Sequence, residues 1–145
     1  MLCEKQGIQL IHIFEDEWKY KKEIVKDILK SKLGIFDLRI YARKCDIKEI
    51  DKNTASEFLS RNHLQGYIDS SIRYGLYYKD ELVFVMTFRK NRKNGSYDYE
   101  LTRFASKTGV CVVGGVSRLL TTFKRNYKGS LVSYADRRYC NGKLY

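Results

Sequence analysis

The chain has two histidines, and His63 is the one that lies in a polar segment, NHLQGY, four residues before Tyr67. An imidazole can accept a proton, bind a metal or donate a hydrogen bond to phosphate. A tyrosine can stack on a base or donate a hydrogen bond. A histidine that ends a helix also commonly caps carbonyl groups, so a structural role stays open. We predict His63 and Tyr67 as candidate catalytic residues.

A second candidate centre follows the last predicted strand, where Asp136 directly precedes Arg137 and Arg138. Open α/β sheets place ligand sites at the carboxyl ends of strands. A carboxylate there can orient or deprotonate an amine nucleophile, and arginines can bind phosphate with two parallel hydrogen bonds. The alternative is a solvated turn in which the aspartate caps the backbone that follows. We predict Asp136 as catalytic and both arginines as nucleic-acid-binding.

A glycine pair, Gly114 and Gly115, opens a predicted helix that has Ser117 and Arg118 in its first turn. The free backbone amides at a helix N-terminus can bind an anion. The alternative is that the pair simply begins the helix. We predict these four residues as candidate cofactor-binding residues.

Cationic residues crowd a predicted hairpin turn that is marked by Asn94 and Gly95, with Tyr97 following it. A basic loop with neighbouring aromatic residues suits a nucleic-acid backbone and an unstacked base, although an exposed basic turn also arises by chance. Arg103 lies on the next strand, three residues after Glu100, so on a regular strand these two side chains face opposite ways. The predicted nucleic-acid-binding residues here are Arg89, Arg92, Lys93 and Arg103.

The composition favours a polyanionic partner. The 145 residues include 28 Lys and Arg against 17 Asp and Glu, a formal net charge of +11. Such an excess attracts polyanions. Nucleic acid is the first candidate, because each neutralised phosphate releases counterions, and an anionic membrane is the second; a basic surface that only aids solubility is the alternative. No apolar run approaches the roughly 20 residues that span a bilayer. The four cysteines form no CxxC pair, and we predict no metal site. Without a recognisable signal peptide, we expect a cytoplasmic location.

Alternating and helically spaced apolar residues predict that an α/β domain with a mixed sheet positions these side chains. The N-terminal part is predicted as a strand, Ile8–Phe14, and a long helix, Asp16–Leu33. A capping box formed by Thr54 and Glu57 is predicted to begin a short helix. The other predicted elements are strands at Leu38–Arg43, Asp46–Ile50, Ile72–Tyr78, Leu82–Phe88, Tyr97–Phe104 and Ser130–Ala135, and a helix from Gly114.

Four segments of the chain resemble the Mom-like domain of phage proteins. They are NHLQGY (62–67), YELTRF (99–104), VVGGVSRLL (112–120) and SYADRRYCNGKLY (133–145). The Mom DNA-modification proteins have a GNAT-like acyltransferase fold, so the resemblance implies a GNAT-like mixed sheet flanked by helices. It also implies a turn at Gly114 and Gly115 that could hold the pyrophosphate of acetyl-CoA, although the glycine spacing of that loop departs from the usual pattern.

The N-terminal segment GIQLIHIFEDEW (7–18) resembles the last strand and helix of Vsr-like homing endonucleases, in which a nuclease domain precedes a Mom-like domain. We therefore predict a strand-helix remnant over residues 1–34 and a Mom-like domain over residues 35–145. The metal-binding carboxylates of such nucleases have no counterpart here, so we expect no nuclease activity from this chain alone.

Two functions follow from the resemblance and the charge. The first is a DNA-binding protein of phage or mobile-element origin, the DNA-directed module of a homing endonuclease. The second is a Mom-like enzyme that modifies a DNA base amine, with acetyl-CoA as a possible acyl donor. Both need a cationic surface, so composition alone does not separate them.

Overall fold

The computed structural model describes residues 6–8, 10–91 and 96–134. Five of the predicted site residues lie outside these ranges: Arg92, Lys93, Asp136, Arg137 and Arg138. Within the described residues, the chain folds as an α/β protein with a mixed five-stranded sheet flanked by helices, which confirms the predicted fold class. Its strand arrangement is compatible with a GNAT-like sheet.

The main sheet has five strands, which lie side by side in this order: β2 (Asp46–Glu49), β3 (Ile72–Tyr78), β4 (Glu81–Lys90), β5 (Tyr99–Ser106) and β7 (Leu131–Ser133). The first four strands are antiparallel neighbours, whereas β7 runs parallel to β5. Lys79 and Asp80 connect β3 to β4, and both have positive φ (49° and 66°), as the tightest two-residue hairpins require.

A second, two-stranded sheet pairs β1 (Leu38–Tyr41) in parallel with β6 (Val110–Val113). Sequence analysis did not predict β6, a four-residue apolar segment between two glycines. The predicted strand Leu38–Arg43 ends early, at Tyr41, because the chain enters a 3₁₀ turn over Ala42–Lys44.

Two helices cover opposite faces of the main sheet. Helix α3 (Lys52–Asn62) packs Phe58 and Leu59 against Val85. Helix α4 (Gly115–Asn126) packs Leu119 and Phe123 into the larger core, where the rings of Phe123 and Phe88 stack with centroids 3.9 Å apart. The strands and these helices together bury the apolar faces that the sequence pattern predicts.

The predicted capping box of α3 is wrong by one turn. The N-cap is Asp51, whose Oδ1 accepts a hydrogen bond from the Thr54 backbone N–H at 2.7 Å. Aspartate is as good an N-cap as threonine, and here it precedes Thr54, so the helix begins earlier than predicted. Hydrogen bonding to the side chain and the backbone N–H of Thr54 lowers the pKa of the Asp51 carboxyl.

The predicted N-terminal strand Ile8–Phe14 is also wrong. Residues 10–14 are outside any strand, and Leu10 and Phe14 are exposed. A strand needs a hydrogen-bonded neighbour, and no described strand lies beside this segment. The predicted single helix is instead two helices, α1 (Glu15–Tyr20) and α2 (Lys22–Lys32), which are separated at Lys21.

Helix α2 nevertheless belongs to the core of the described structure. Its Ile24 and Val25 are buried, and Asp27 Oδ1 accepts a hydrogen bond from the Gly109 backbone N–H at 2.6 Å. The N-terminal helix is therefore held against the turn that precedes β6. The division of the chain at residue 34 stays a prediction.

A β-bulge interrupts β5. Thr87 of β4 pairs with Arg103, whereas the next residue, Phe88, pairs with Leu101, so Thr102 is the extra residue on β5. The buried hydroxyls of Thr87 and Thr102 are 2.7 Å apart, and the Thr102 hydroxyl also lies 3.0 Å from the Thr87 carbonyl oxygen. The bulge changes which side chains of β5 share a face.

Candidate functional site

A cleft of about 490 Å³ lies where β5 and β7 separate. The two strands pair in parallel over three residues, from Tyr99 with Leu131 to Leu101 with Ser133. Beyond that point residues 102–106 of β5 line one side of the cleft, and Ser133 and Tyr134 line another. We call this opening the β5/β7 cleft. It lies where the sheet changes from antiparallel to parallel, and strand separation at such a point leaves room for a ligand.

The remaining lining comes from several other parts of the chain. Helix α2 contributes Asp27 and its neighbours, the end of α3 and the turn after it contribute residues 62–65, and β6 contributes residues 110–112. Phe36 and Phe84 of β4 complete the lining. The cleft is therefore built by tertiary structure, and its position cannot be read from any one segment.

The bulge in β5 places Arg103 in this cleft. Its Nη1 donates to the neighbouring Thr102 carbonyl oxygen at 2.8 Å, while its Nε is buried and has no hydrogen-bond partner among the described residues. Burial lowers the pKa of Arg103, and the nearby carboxylate of Glu100 partly offsets this effect. An arginine keeps its charge in a protein, so the cleft holds a partly desolvated cation with an unused donor.

His63 lies at the end of α3, as predicted, and lines the same cleft. Its Nδ1 accepts a hydrogen bond from the Gln65 backbone N–H at 3.0 Å. Burial, assisted by the positive charges of Arg103 and Lys21, lowers the pKa of His63 to about 4. The imidazole is therefore neutral near pH 7, and the hydrogen bond at Nδ1 places its single proton on Nε2.

This tautomer makes His63 a hydrogen-bond donor to a ligand. Its one basic nitrogen is already occupied by the backbone N–H of Gln65, and a pKa of about 4 makes it a weak proton acceptor. The geometry thus supports ligand binding by His63 more than the predicted role as a general base.

Aromatic rings form the apolar wall of the cleft. Phe84 and Phe104 stack with centroids 6.3 Å apart and an interplanar angle of 26°. Phe36 also lines the cleft, and Tyr134 lies at its rim with 68% of its surface exposed. Flat rings beside hydrogen-bond donors are the usual lining of a site for a planar heterocyclic ligand.

Positively charged side chains lie near His63 in the cleft. The positive charges of Arg103 and Lys21 both lower the pKa of His63. Among the described lining residues the only acidic one is Asp27, and one of its oxygens is engaged by the Gly109 N–H. An anionic or electron-rich ligand is therefore favoured over a cation.

The predicted catalytic residue Tyr67 does not line this cleft. Its hydroxyl lies 3.2 Å from the Ser70 hydroxyl, and its ring packs against the cluster of α3 and Val85. Tyr67 and His63 are thus separated, and the structure gives Tyr67 a packing role.

The predicted cofactor-binding residues lie at the start of α4, outside the cleft. Gly114 is the N-cap of α4 and has a φ of 79°, a conformation that favours glycine. An added Cβ at Gly115 would lie 3.3 Å from the Phe84 ring, so close packing explains glycine at that position. Arg118 donates to the carbonyl oxygens of Ala42 and Cys45. Its guanidinium therefore anchors the 3₁₀ turn, and Ser117 alone of the four presents an exposed side chain.

Arg89 lies on β4 beside the first residues of β5 and forms an ion pair with Glu100, with Nη2 and Oε2 2.8 Å apart. This hydrogen bond raises the pKa of Arg89. Arg89 and Thr87 share one face of β4, and they pair with Glu100 and Arg103. Because of the bulge, Glu100 and Arg103 are on the same face, and the expectation for a regular strand is wrong.

Of the predicted residues, the structure brings His63 and Arg103 together in the cleft. Sequence reasoning missed Asp27, Phe84 and Phe104, which complete the lining. Phe104 was visible in the segment YELTRF beside Arg103, but Asp27 and Phe84 read as ordinary helix and strand residues, and only the tertiary fold places them at the site.

Comparison of this chain with known protein families, with curated proteins and with solved structures gave no match. The fold and the cleft are those of an α/β protein whose mixed sheet opens between its two parallel strands onto a cleft lined by aromatic rings and Arg103. Among the described residues no helix is long and apolar enough to cross a membrane. Nor do the described residues contain a group of three or more His, Cys, Asp or Glu side chains that could hold a metal ion.

Proposed function

We propose that this protein binds DNA and that the β5/β7 cleft receives an unstacked base. One observation carries the proposal: a single cleft combines stacked aromatic rings, a partly desolvated arginine with an unused donor, and a neutral histidine donor. A nucleobase has a flat face for the rings and acceptor atoms at its edge for the donors.

The energetics favour a base over a simple anion. Stacking of a base on aromatic side chains contributes about 1–3 kcal/mol, and a hydrogen bond from a charged donor contributes about 1.5–3 kcal/mol. The apolar wall formed by Phe84 and Phe104 would add nothing to the binding of a free phosphate.

The remainder of the molecule supports a polyanionic ligand. The net charge of +11 provides long-range attraction that does not depend on DNA sequence. The resemblance of four segments to the Mom-like domain of phage proteins supports DNA as that ligand, and it supports a phage or mobile-element origin.

A second candidate is a transferase that modifies a base amine with an acyl donor. The observation that favours it is the position and size of the cleft, because about 490 Å³ at a change of strand direction suits a small molecule. Calorimetry with acetyl-CoA tests this candidate, since micromolar binding is expected of such an enzyme. Mass analysis of nucleosides from cells that express the chain tests for the modified base.

The DNA-binding proposal is tested with a duplex that contains 2-aminopurine, whose fluorescence rises when it leaves the stack. We expect binding at low salt with a rise in fluorescence. Arg103→Gln should weaken binding by about 10-fold or more, the cost of losing a charged donor, and should reduce the fluorescence rise.

The matched control is Arg61→Gln, which removes the same charge from the exposed face of α3, where Arg61 pairs with Glu57 at 2.9 Å. We expect this variant to keep the fluorescence rise and to lose little affinity. Absence of any retention of duplex or single-stranded DNA at modest ionic strength would refute the proposal. Binding without a rise in fluorescence, or an equal loss in both variants, would refute the role of the cleft.

A further inference from the structure

A second concave surface lies on the far side of the core from α3, between helix α4 and the 3₁₀ turn. It encloses about 640 Å³ and shares no described lining residue with the β5/β7 cleft. We call it the α4 groove and define it by Tyr41, Arg43, Ser117, Thr121 and Arg125.

The charge of the α4 groove is unbalanced. Its described lining contains three arginines, namely Arg43, Arg118 and Arg125, and no carboxylate. Arg118 is engaged by the carbonyl oxygens of the 3₁₀ turn. Arg43 and Arg125 are exposed and form no ion pair with another described residue, so their donors are available to a ligand.

The arrangement of the groove is set by helical spacing. Ser117, Thr121 and Arg125 follow at intervals of four residues and form one exposed ridge of α4. The Thr121 hydroxyl donates to the Ser117 carbonyl oxygen at 2.8 Å, whereas the Ser117 hydroxyl forms no hydrogen bond with another described residue. The ridge therefore presents a neutral donor at one end and a cationic donor at the other.

The opposite wall of the groove adds a ring to these donors. The guanidinium carbon of Arg43 lies 5.1 Å from the ring centroid of Tyr41, and 42% of the surface of Tyr41 is exposed. The planar guanidinium group of arginine can donate two parallel hydrogen bonds to the oxygens of a phosphate. A row of such donors beside an exposed ring is suited to a sugar-phosphate backbone and offers little to an uncharged ligand.

We infer that the α4 groove binds phosphodiester groups of a nucleic-acid strand. This inference rests on the proposed DNA-binding function and extends it, because it assigns backbone contacts to a surface that is separate from the base-binding cleft. The cleft contributes the base contacts, and the groove contributes affinity that does not depend on sequence and is sensitive to salt.

The test is the double variant Arg43→Gln and Arg125→Gln, with binding to a fluorescent duplex measured over a series of salt concentrations. Loss of two phosphate contacts should lower the slope of log Kd against log salt by about 2 and weaken binding by roughly 10-fold at low salt. The 2-aminopurine fluorescence at saturation should be unchanged, because neither residue lines the β5/β7 cleft.

The matched control is Lys52→Gln with Arg61→Gln, which removes two positive charges from side chains that pair with Asp69 and Glu57. We expect its slope to stay close to that of the unmodified protein. All four side chains are exposed, so both variants should melt at the same temperature as the parent.

An unchanged slope in the Arg43 and Arg125 variant, or an equal change in the control, would overturn the groove assignment while leaving the cleft intact. Arg43- and Arg125-dependent binding of poly-glutamate as strongly as DNA would also overturn it, in favour of an acidic protein partner. Failure of the unmodified protein to bind DNA is a different result, and it removes the proposed function itself.

Discussion

The substitution His63→Gln should remove a specific pH dependence of folding stability. His63 lines the β5/β7 cleft and has its pKa lowered to about 4, chiefly by burial and further by Arg103 and Lys21. In the unfolded chain a histidine titrates near its ordinary pKa of about 6.5. Glutamine has no titrating proton in this range, and its side-chain oxygen can still accept the Gln65 backbone N–H.

The direction in which stability changes with pH follows from the number of protons that the folded and unfolded chains bind. Between about pH 6.5 and pH 4 the unfolded chain binds a proton that the folded chain does not, so the free energy of unfolding falls as the pH falls through this window. A separation of about 2.5 pKa units corresponds to a maximum of about 3 kcal/mol. His63 is only half-buried and water screens its charge, so we expect a loss of about 1–2 kcal/mol near pH 4.5.

The assay is urea denaturation from about pH 7 to pH 4.5 for the parent and for His63→Gln. Carboxyl groups also titrate in this range, but they are common to both proteins and cancel in the difference between the two curves. His12→Gln is the matched control, because His12 is exposed. An NMR titration of the imidazole protons in that variant measures the pKa of His63 directly. Parallel stability curves, together with a pKa near 6.5, would refute the desolvated environment described for the cleft.

Two further predictions concern the packing around the cleft. Val25→Ala should lower the free energy of unfolding by about 2 kcal/mol, since Val25 of α2 is fully buried; a change below about 0.5 kcal/mol in urea denaturation would show that α2 does not bury this side chain. Gly115→Ala should lower the free energy of unfolding by about 1–2 kcal/mol, because its Cβ would meet the Phe84 ring and Val112 Cγ1 at 3.2–3.3 Å. A melting temperature of Gly115→Ala equal to that of the parent would contradict the described packing.

The elements that sequence analysis predicted correctly are those defined by local pattern. The alternation in Ile72–Tyr78 and the apolar segment Leu82–Phe88 that follows it predicted β3 and its return through β4. The glycine pair predicted the start of α4. In each of these cases the apolar spacing and the turn chemistry indicate the same structure.

The elements that were wrong or missed depend on distant partners. The apolar segment Ile8–Phe14 has the composition of a strand, but no described strand pairs with it. Val110–Val113 becomes β6 only because β1 pairs with it. Propensity measures how well a residue fits a sheet and does not supply the neighbouring strand.

The candidate site was predicted in part for the same reason. His63 and Arg103 were selected from their residue types, and both line the cleft. Glu100 and Arg103 share a face because of a one-residue bulge at Thr102, and no spacing rule in the sequence indicates that bulge. Asp136, Arg137 and Arg138 stay predictions because they lie outside the described residues.

The parallel pairing of β1 with β6 has a consequence for the order of folding. Its partners, such as Leu38 and Val110, are about 70 residues apart in the chain, whereas β3, β4 and β5 pair with sequence neighbours. Closing the long loop costs entropy before any contact compensates for it. The antiparallel meander should therefore form first and the small parallel sheet last, so that amide protons of Arg39 and Ile40 become protected later than those of Val85 and Met86 in pulse-labelled hydrogen exchange.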